Sequence, residues 1–311
     1  MSQGLSKVQL QTLCKTAIQA AQKAGQWIEQ FDRQNLQRTF KNAGNSEASQ
    51  IVTEVDIRSE EIIRQQLQNI SEPLSIAFVG EESSNTSSSL LNSSFASATD
   101  NAHERFKKPY FWCVDPLDGT LPFAEGREGY AVSIALVEKS GEPLIGVVYD
   151  PARQVLYHAI KGEGSYRNLT PFSQIKSMSK SLEVYADTSF KNHTKYQSAV
   201  TALETCAQKL GLDDVIFFYG NGAVKNACNV LQSNQACYLK LPKKEDGGGS
   251  IWDYAATTCI AHEARAWVSN SHGQTLELNR QESTFMNHQG VIFASNKQIA
   301  HYLIDALSLE K

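Results

Sequence analysis

Leu10, Leu13, Ala17, Ala20, Ala21, Ala24, Ile28 and Phe31 recur at intervals of three and four. That period puts them on one stripe and predicts a long amphipathic helix over 6–31. A second helix is expected from about Ile57 to Ile70, with Ile62, Ile63, Leu67 and Ile70 turned inward. Strand-like runs follow at Tyr110–Val114, Ala131–Val137, Leu144–Tyr149 and Val155–Ile160. Turn residues separate them, at Gly119, Gly126, Gly141 and Asp150-Pro151. Lys161-Gly-Glu-Gly164 reads as the bend of a hairpin into Ser165–Asn168. This first half reads as helices packed on a largely antiparallel sheet.

From about residue 180 the pattern changes to alternation of strand and helix. Leu182–Ala186, Val215–Tyr219, Ala236–Leu241, Ala266–Ser269 and Val291–Ala294 are strand-like. Asn221–Gln232, Ile251–Glu263 and Lys297–Leu309 are helix-like. This half reads as a smaller α/β domain. Residues 83–100 are rich in Ser, Asn and Thr. They are expected to form a mobile surface loop, placed between two candidate site segments where a lid would lie.

Length changes this picture little: 311 residues suit two domains or one large one. With 41% hydrophobic and 20% charged residues, the chain has the makings of a sizeable core, and wholesale disorder is excluded. A net charge of −4 argues against a protein that grips a nucleic-acid polymer by its phosphates. No apolar run is long enough to span a membrane, and Lys7, Lys15, Lys23 and Glu29 break up any signal-peptide core. The six cysteines form no C-x-x-C pair and read as buried thiols in a reducing compartment, so a cytoplasmic protein is expected.

Four segments place a carboxylate at the edge of an expected element: Val52-Thr-Glu-Val-Asp56, Gly80-Glu-Glu-Ser83, Asp115-Pro-Leu-Asp-Gly-Thr120 and Ile251-Trp-Asp-Tyr254. Each has a bland reading. Asp56 closes a capping-box pattern with Thr53, and Asp253 is a first-turn acid that complements a helix dipole. Glu81 and Glu82 read as a solvated loop pair, and Asp115 and Asp118 as turn residues. Yet two carboxylates three residues apart in a tight turn can face one centre, with the Leu117 carbonyl beside them. Such charges repel unless a cation lies between them, and an all-oxygen donor set suits a hard ion such as Mg2+. Gly119 and Thr120 offer backbone N–H groups to an anion at the same place. Trp112 and Trp252 read as core anchors. Gly247-Gly-Gly249 lacks a P-loop ending and reads as a hinge.

In combination and in this order, the four segments resemble the inositol monophosphatase superfamily of metal-dependent phosphatases. The resemblance runs from about residue 10 to the C-terminus. It implies a layered αβαβα sandwich, with an N-terminal metal-binding domain over 1–175, a C-terminal α/β domain over 176–311, and the site between them. It implies metal ligands at Glu81, Asp115, the Leu117 carbonyl, Asp118 and Asp253, two or three Mg2+ ions per site, and Thr120 and Asp56 acting on the attacking water, with Glu81 supporting its activation. Val224-Lys225, Tyr238-Leu-Lys-Leu-Pro242 and Ile251-Trp-Asp-Tyr-Ala-Ala256 resemble the 3'(2'),5'-bisphosphate nucleotidase branch. There Lys225 and Lys240 would bind the nucleotide phosphate. The implied substrate is a small phosphate ester, first 3'-phosphoadenosine 5'-phosphate, then an inositol or sugar monophosphate. A non-catalytic sensor of phosphometabolites is a third reading, disfavoured because no carboxylate ligand is missing. Homodimers are common in the superfamily, although the sequence marks no interface.

Overall fold

The computed structural model describes residues 4–36, 38–40, 51–85, 102–173, 179–247 and 249–308. Ser6 opens helix α1 (Lys7–Gln30) through a capping box with Gln9, and the predicted stripe is buried from Leu13 to Ile28. A short antiparallel ribbon of β1 (Arg38–Phe40) and β2 (Ile51–Thr53) leads into helix α2 (Glu54–Ser71). That helix starts earlier than predicted, because the Thr53–Asp56 capping box sets its first residue at Glu54. The two helices pack on each other and on one face of a seven-stranded sheet.

That sheet runs in order from β3 to β9: β3 (Ile76–Gly80), β4 (Tyr110–Asp118), β5 (Ala131–Glu138), β6 (Pro143–Asp150), β7 (Val155–Ile160), β8 (Ser165–Arg167) and β9 (Thr170–Phe172). Every neighbouring pair is antiparallel except β3 and β4. Short helices α3 (Glu81–Asn85) and α4 (Thr120–Ala124) continue from the ends of β3 and β4. The parallel pairing of β3 and β4 puts those two ends side by side.

The second half builds a five-stranded mixed sheet from β10 (Ser181–Tyr185), β11 (Asp214–Phe218), β12 (Ala236–Lys240), β13 (Trp267–Ser269) and β14 (Val291–Ala294), in the order β11-β10-β12-β14-β13. Helices α5 (Tyr196–Lys209) and α8 (Lys297–Ser308) cover its outer face. Helices α6 (Ala223–Val230) and α7 (Ile251–Glu263) fill the layer between the two sheets. From Tyr254 to Ala261 helix α7 is buried at every position, as a helix enclosed between two sheets must be. The layers therefore alternate αβαβα, as expected.

Helix α5 has no counterpart in the predicted elements. Its buried face, Ala199, Ala202, Leu203, Cys206 and Ala207, is mostly small side chains, and its N-cap, Lys195, makes no side-chain cap bond. Trp112 and Trp252 are core residues, and all six cysteines are buried free thiols. Among the described residues no helix is long and apolar enough to cross a membrane. The loop and lid expected at 83–100 lie, from residue 86 on, outside the described residues. Gly249 is pinned: its carbonyl accepts from the Met286 N–H at 2.9 Å, next to a bridge between Ser250 and Phe285. That segment is paired to the chain ahead of β14, where a hinge was expected.

Candidate metal and phosphate site

Strand β4 does not end at Val114 but runs on through Asp118. Residues three apart on a regular strand point to opposite faces. Here Asp115 pairs with Ser133 and Asp118 with Ala131, so β4 spends one residue more than β5 over that stretch. This bulge turns both aspartates to the same side. The Asp115 carboxylate accepts from the Leu117 N–H at 3.1 Å, which holds the bulge closed. Gly119 then takes a left-handed conformation, φ 87°, and starts α4 with Thr120.

Asp118 reaches across to the first turn of α6. Its two oxygens accept from the N–H groups of Ala223 at 2.9 Å and Val224 at 3.0 Å. The approach depends on Gly222, where a Cβ would lie 2.2 Å from an Asp118 oxygen. Asp253 arrives from α7, with one carboxylate oxygen 2.5 Å from the Ser250 N–H that it caps. Asp115, Asp118 and Asp253 each present an oxygen, all within 4.8 Å of one another.

Two of the three acids, Asp118 and Asp253, resist ionisation. Burial raises the Asp118 carboxyl well above the ordinary carboxylate range, and the Asp253 charge raises it further, against the pull of the two N–H donors. Burial likewise pushes Asp253 up to about 6, opposed mainly by Lys240 and reinforced by Glu81. Three crowded carboxylates with hard oxygen donors fit a divalent cation, which would relieve that repulsion. Glu81, in the first turn of α3, lies outside this trio, but its charge acts on both Asp118 and Asp253.

Thr120 and Asp56 meet beside the cluster. The Thr120 hydroxyl donates to Asp56 Oδ1 at 2.8 Å, with the Leu117 carbonyl 3.2 Å away. Asp56 Oδ2 accepts from both the Thr53 N–H at 2.8 Å and the Thr53 hydroxyl at 2.5 Å. Both residues are buried.

The two lysines separate. Lys240, at the end of β12, pairs with Asp187 at 2.8 Å, and its ammonium is 6.0 Å from the Tyr254 ring centroid. Burial disfavours its charge, but Asp187, Tyr254 and Asp253 outweigh this and hold it protonated. Lys225 is not brought to the carboxylates as an open cation. It lies on α6 with 4% of its surface exposed, and its ammonium is bonded to Asp150, itself 2% exposed, at the end of β6. Neither Asp187 nor Asp150 is expected from sequence as a site residue; Asp150 reads there only as part of a turn. Asp187 also accepts from Tyr238 Oη at 3.3 Å and Asn226 Nδ2 at 3.4 Å, which makes it a hub that only the fold assembles.

A profile of the inositol monophosphatase family matches residues 9–310. Inositol monophosphatase 2 of Solanum lycopersicum is 30% identical over 94% of this chain and 96% of its own length. The 3'(2'),5'-bisphosphate nucleotidase CysQ of Salmonella typhimurium is 31% identical over 57% of this chain. That match spans 65% of the nucleotidase, just under two thirds. In fold, the extragenic suppressor protein suhB from Bartonella henselae superposes with a TM-score of 0.69 at 22% identity, covering 96% of this chain and all of that one. The chain belongs to the inositol monophosphatase family, whose members are phosphatases that hydrolyse phosphate monoesters.

Proposed function

We propose that this protein is a Mg2+-dependent phosphomonoesterase whose substrate is a 3'(2'),5'-bisphosphate nucleotide, 3'-phosphoadenosine 5'-phosphate, cleaved to AMP and phosphate. The observation that carries the phosphatase reading is the pairing of the Asp115, Asp118 and Asp253 cluster with the Thr120–Asp56 hydrogen bond. Glu81, Asp115, the Leu117 carbonyl, Asp118 and Asp253 would hold the ions. When bound, Mg2+ supplies Lewis acidity toward the phosphoryl oxygens and toward water.

The remaining work belongs to the chain. Thr120 has one hydroxyl proton and commits it to Asp56, so its lone pairs are left to accept a hydrogen bond from the attacking water. Asp56 is held in place by the Thr53 N–H and hydroxyl on one oxygen and by the Thr120 hydroxyl on the other, which fixes the direction in which the threonine proton points. Gly119 and Thr120 offer N–H groups to the phosphate at the start of α4. Phosphoryl transfer asks for little covalent help, so positioning and charge dominate.

The nucleotide reading is supported by Lys240, a protonated cation close enough to Asp253 to act on its charge, and by the similarity to the CysQ nucleotidase. A second reading, an inositol or sugar monophosphate phosphatase, is favoured by one observation. Lys225 is paired to the buried Asp150, so of the two expected basic residues only Lys240, itself paired to the partly exposed Asp187, acts on Asp253. Six buried free thiols support a reducing compartment, the cytoplasm.

The test is phosphate release in Mg2+ from 3'-phosphoadenosine 5'-phosphate, inositol 1-phosphate and a sugar monophosphate such as glucose 1-phosphate. The bisphosphate nucleotide should give the highest kcat/KM. Outright preference for inositol phosphate would replace the first reading with the second, and activity unchanged by EDTA would contradict both.

A further inference from the structure

Helix α2 carries a second buried acid on the face that presents Asp56. Glu60, one helical turn further on, is 4% exposed. Its two oxygens accept from the backbone of α3: Oε2 from the Glu82 N–H at 2.8 Å, Oε1 from the Ser83 N–H at 3.1 Å. Arg64 approaches Oε1 at 3.4 Å, and its guanidinium lies 4.0 Å from the centroid of the Phe78 ring on β3. On the other side, Gly80 leaves room for the carboxylate; a Cβ there would lie 2.2 Å from Glu60 Oε2. Glu60 therefore grips the chain on both sides of Glu81.

We propose that Glu60 is a positioning residue that fixes the Glu81 carboxylate toward Asp118 and Asp253, an inference that rests on the metal-site reading above. A bidentate carboxylate satisfies two adjacent first-turn N–H groups with charge-assisted bonds. This locks the short α3 onto α2. The same helix then registers both halves of the site: Asp56 holds Thr120 at the end of β4, and Glu60 holds the Glu81 turn at the end of β3. Glutamine cannot replace it, because its amide nitrogen would face a backbone N–H, donor against donor.

The test is calorimetric Mg2+ binding to the folded, substrate-free protein, with Mn2+ paramagnetic resonance as a second probe. Outer-shell substitutions cost about 10–100-fold in metal affinity. Glu60→Gln should weaken binding of one ion about tenfold. Gly80→Ala, which keeps the carboxylate but evicts it, should do the same, and the double variant should be no weaker than either single one. Should Glu60→Gln fail to fold, Gly80→Ala decides alone. Lower melting temperature with wild-type Mg2+ affinity in the folded variants would overturn the positioning role. A wild-type protein that binds no Mg2+ would overturn the metal-site reading beneath it, a distinguishable failure.

Discussion

The hydroxyl of Thr120 donates to Asp56 at 2.8 Å across 64 positions of sequence. The bond ties the bulged end of β4 to the capping box of α2. Asp56 uses one oxygen to start its helix and the other to hold the threonine. The geometry leaves the threonine oxygen as an acceptor only, a suitable partner for a water that must present its lone pair to phosphorus.

Thr120→Val should therefore lower kcat about a hundredfold or more while leaving Mg2+ affinity nearly unchanged. Asp56→Asn should give a similar loss, and the double variant little more, since the two act as a unit. Single-turnover rates measured beside calorimetric Mg2+ titrations check this. Equal losses in rate and affinity, or an unchanged rate, would argue against a water-orienting role.

Gly222→Ala should disturb the cluster from the opposite side. Its Cβ would meet the Asp118 carboxylate at 2.2 Å, next to the Ala223 and Val224 N–H groups that the acid accepts from. Overpacking of this kind costs about 1–3 kcal/mol of stability. Displacing Asp118 should weaken Mg2+ binding about 10–100-fold. Denaturant unfolding and metal titration together test it; a variant that matches wild type in both would show that the contact is soft.

Lys225 and Lys240 should fail in different ways. Lys225→Ala strands the buried Asp150 carboxylate, which should cost about 3–5 kcal/mol of stability. Lys240→Ala should instead raise KM for 3'-phosphoadenosine 5'-phosphate about ten- to a hundredfold and barely change hydrolysis of a simple monophosphate. Melting curves and steady-state kinetics on both variants separate the roles. A KM effect from Lys225 without a stability loss would return it to the substrate.

Much of this was legible because the informative residues mark element edges. The stripe from Leu13 to Ile28 follows from periodicity. Strands were expected where β4 to β8 lie, whereas β1, β2, β3 and β9 were not. Helix α7 was expected over Ile251–Glu263 although, enclosed between two sheets, it carries no amphipathic stripe. Acids from two of the four segments, Asp115, Asp118 and Asp253, cluster, Asp56 of a third is bonded to Thr120, and two of the bland readings hold as well. Asp56 and Asp253 do cap their helices. What stayed hidden depends on long-range contact. Lys225 looks like an open cation in sequence, and only the fold, which brings its ammonium to Asp150 at the end of β6, shows it paired. The bulge at Asp115–Asp118 has no one-dimensional signal beyond Pro and Gly, so β4 was expected to stop at Val114. Glu60 had a readable clue, four residues after Asp56 on one helix face, but its partners are more than twenty residues away.

The most direct test of the account is Asp115→Asn, assayed for phosphate release in saturating Mg2+ and for Mg2+ binding in the same preparation. Asp115 contributes one of the three clustered carboxylates and anchors the bulge that gathers them. Metal-centred catalysis predicts a fall in kcat/KM on the order of a thousandfold or more, with weakened Mg2+ binding. Removing one like charge should also leave the metal-free protein at least as stable as wild type. Activity within about a factor of ten of wild type, with Mg2+ affinity intact, would contradict the assignment of this cluster as the catalytic metal site.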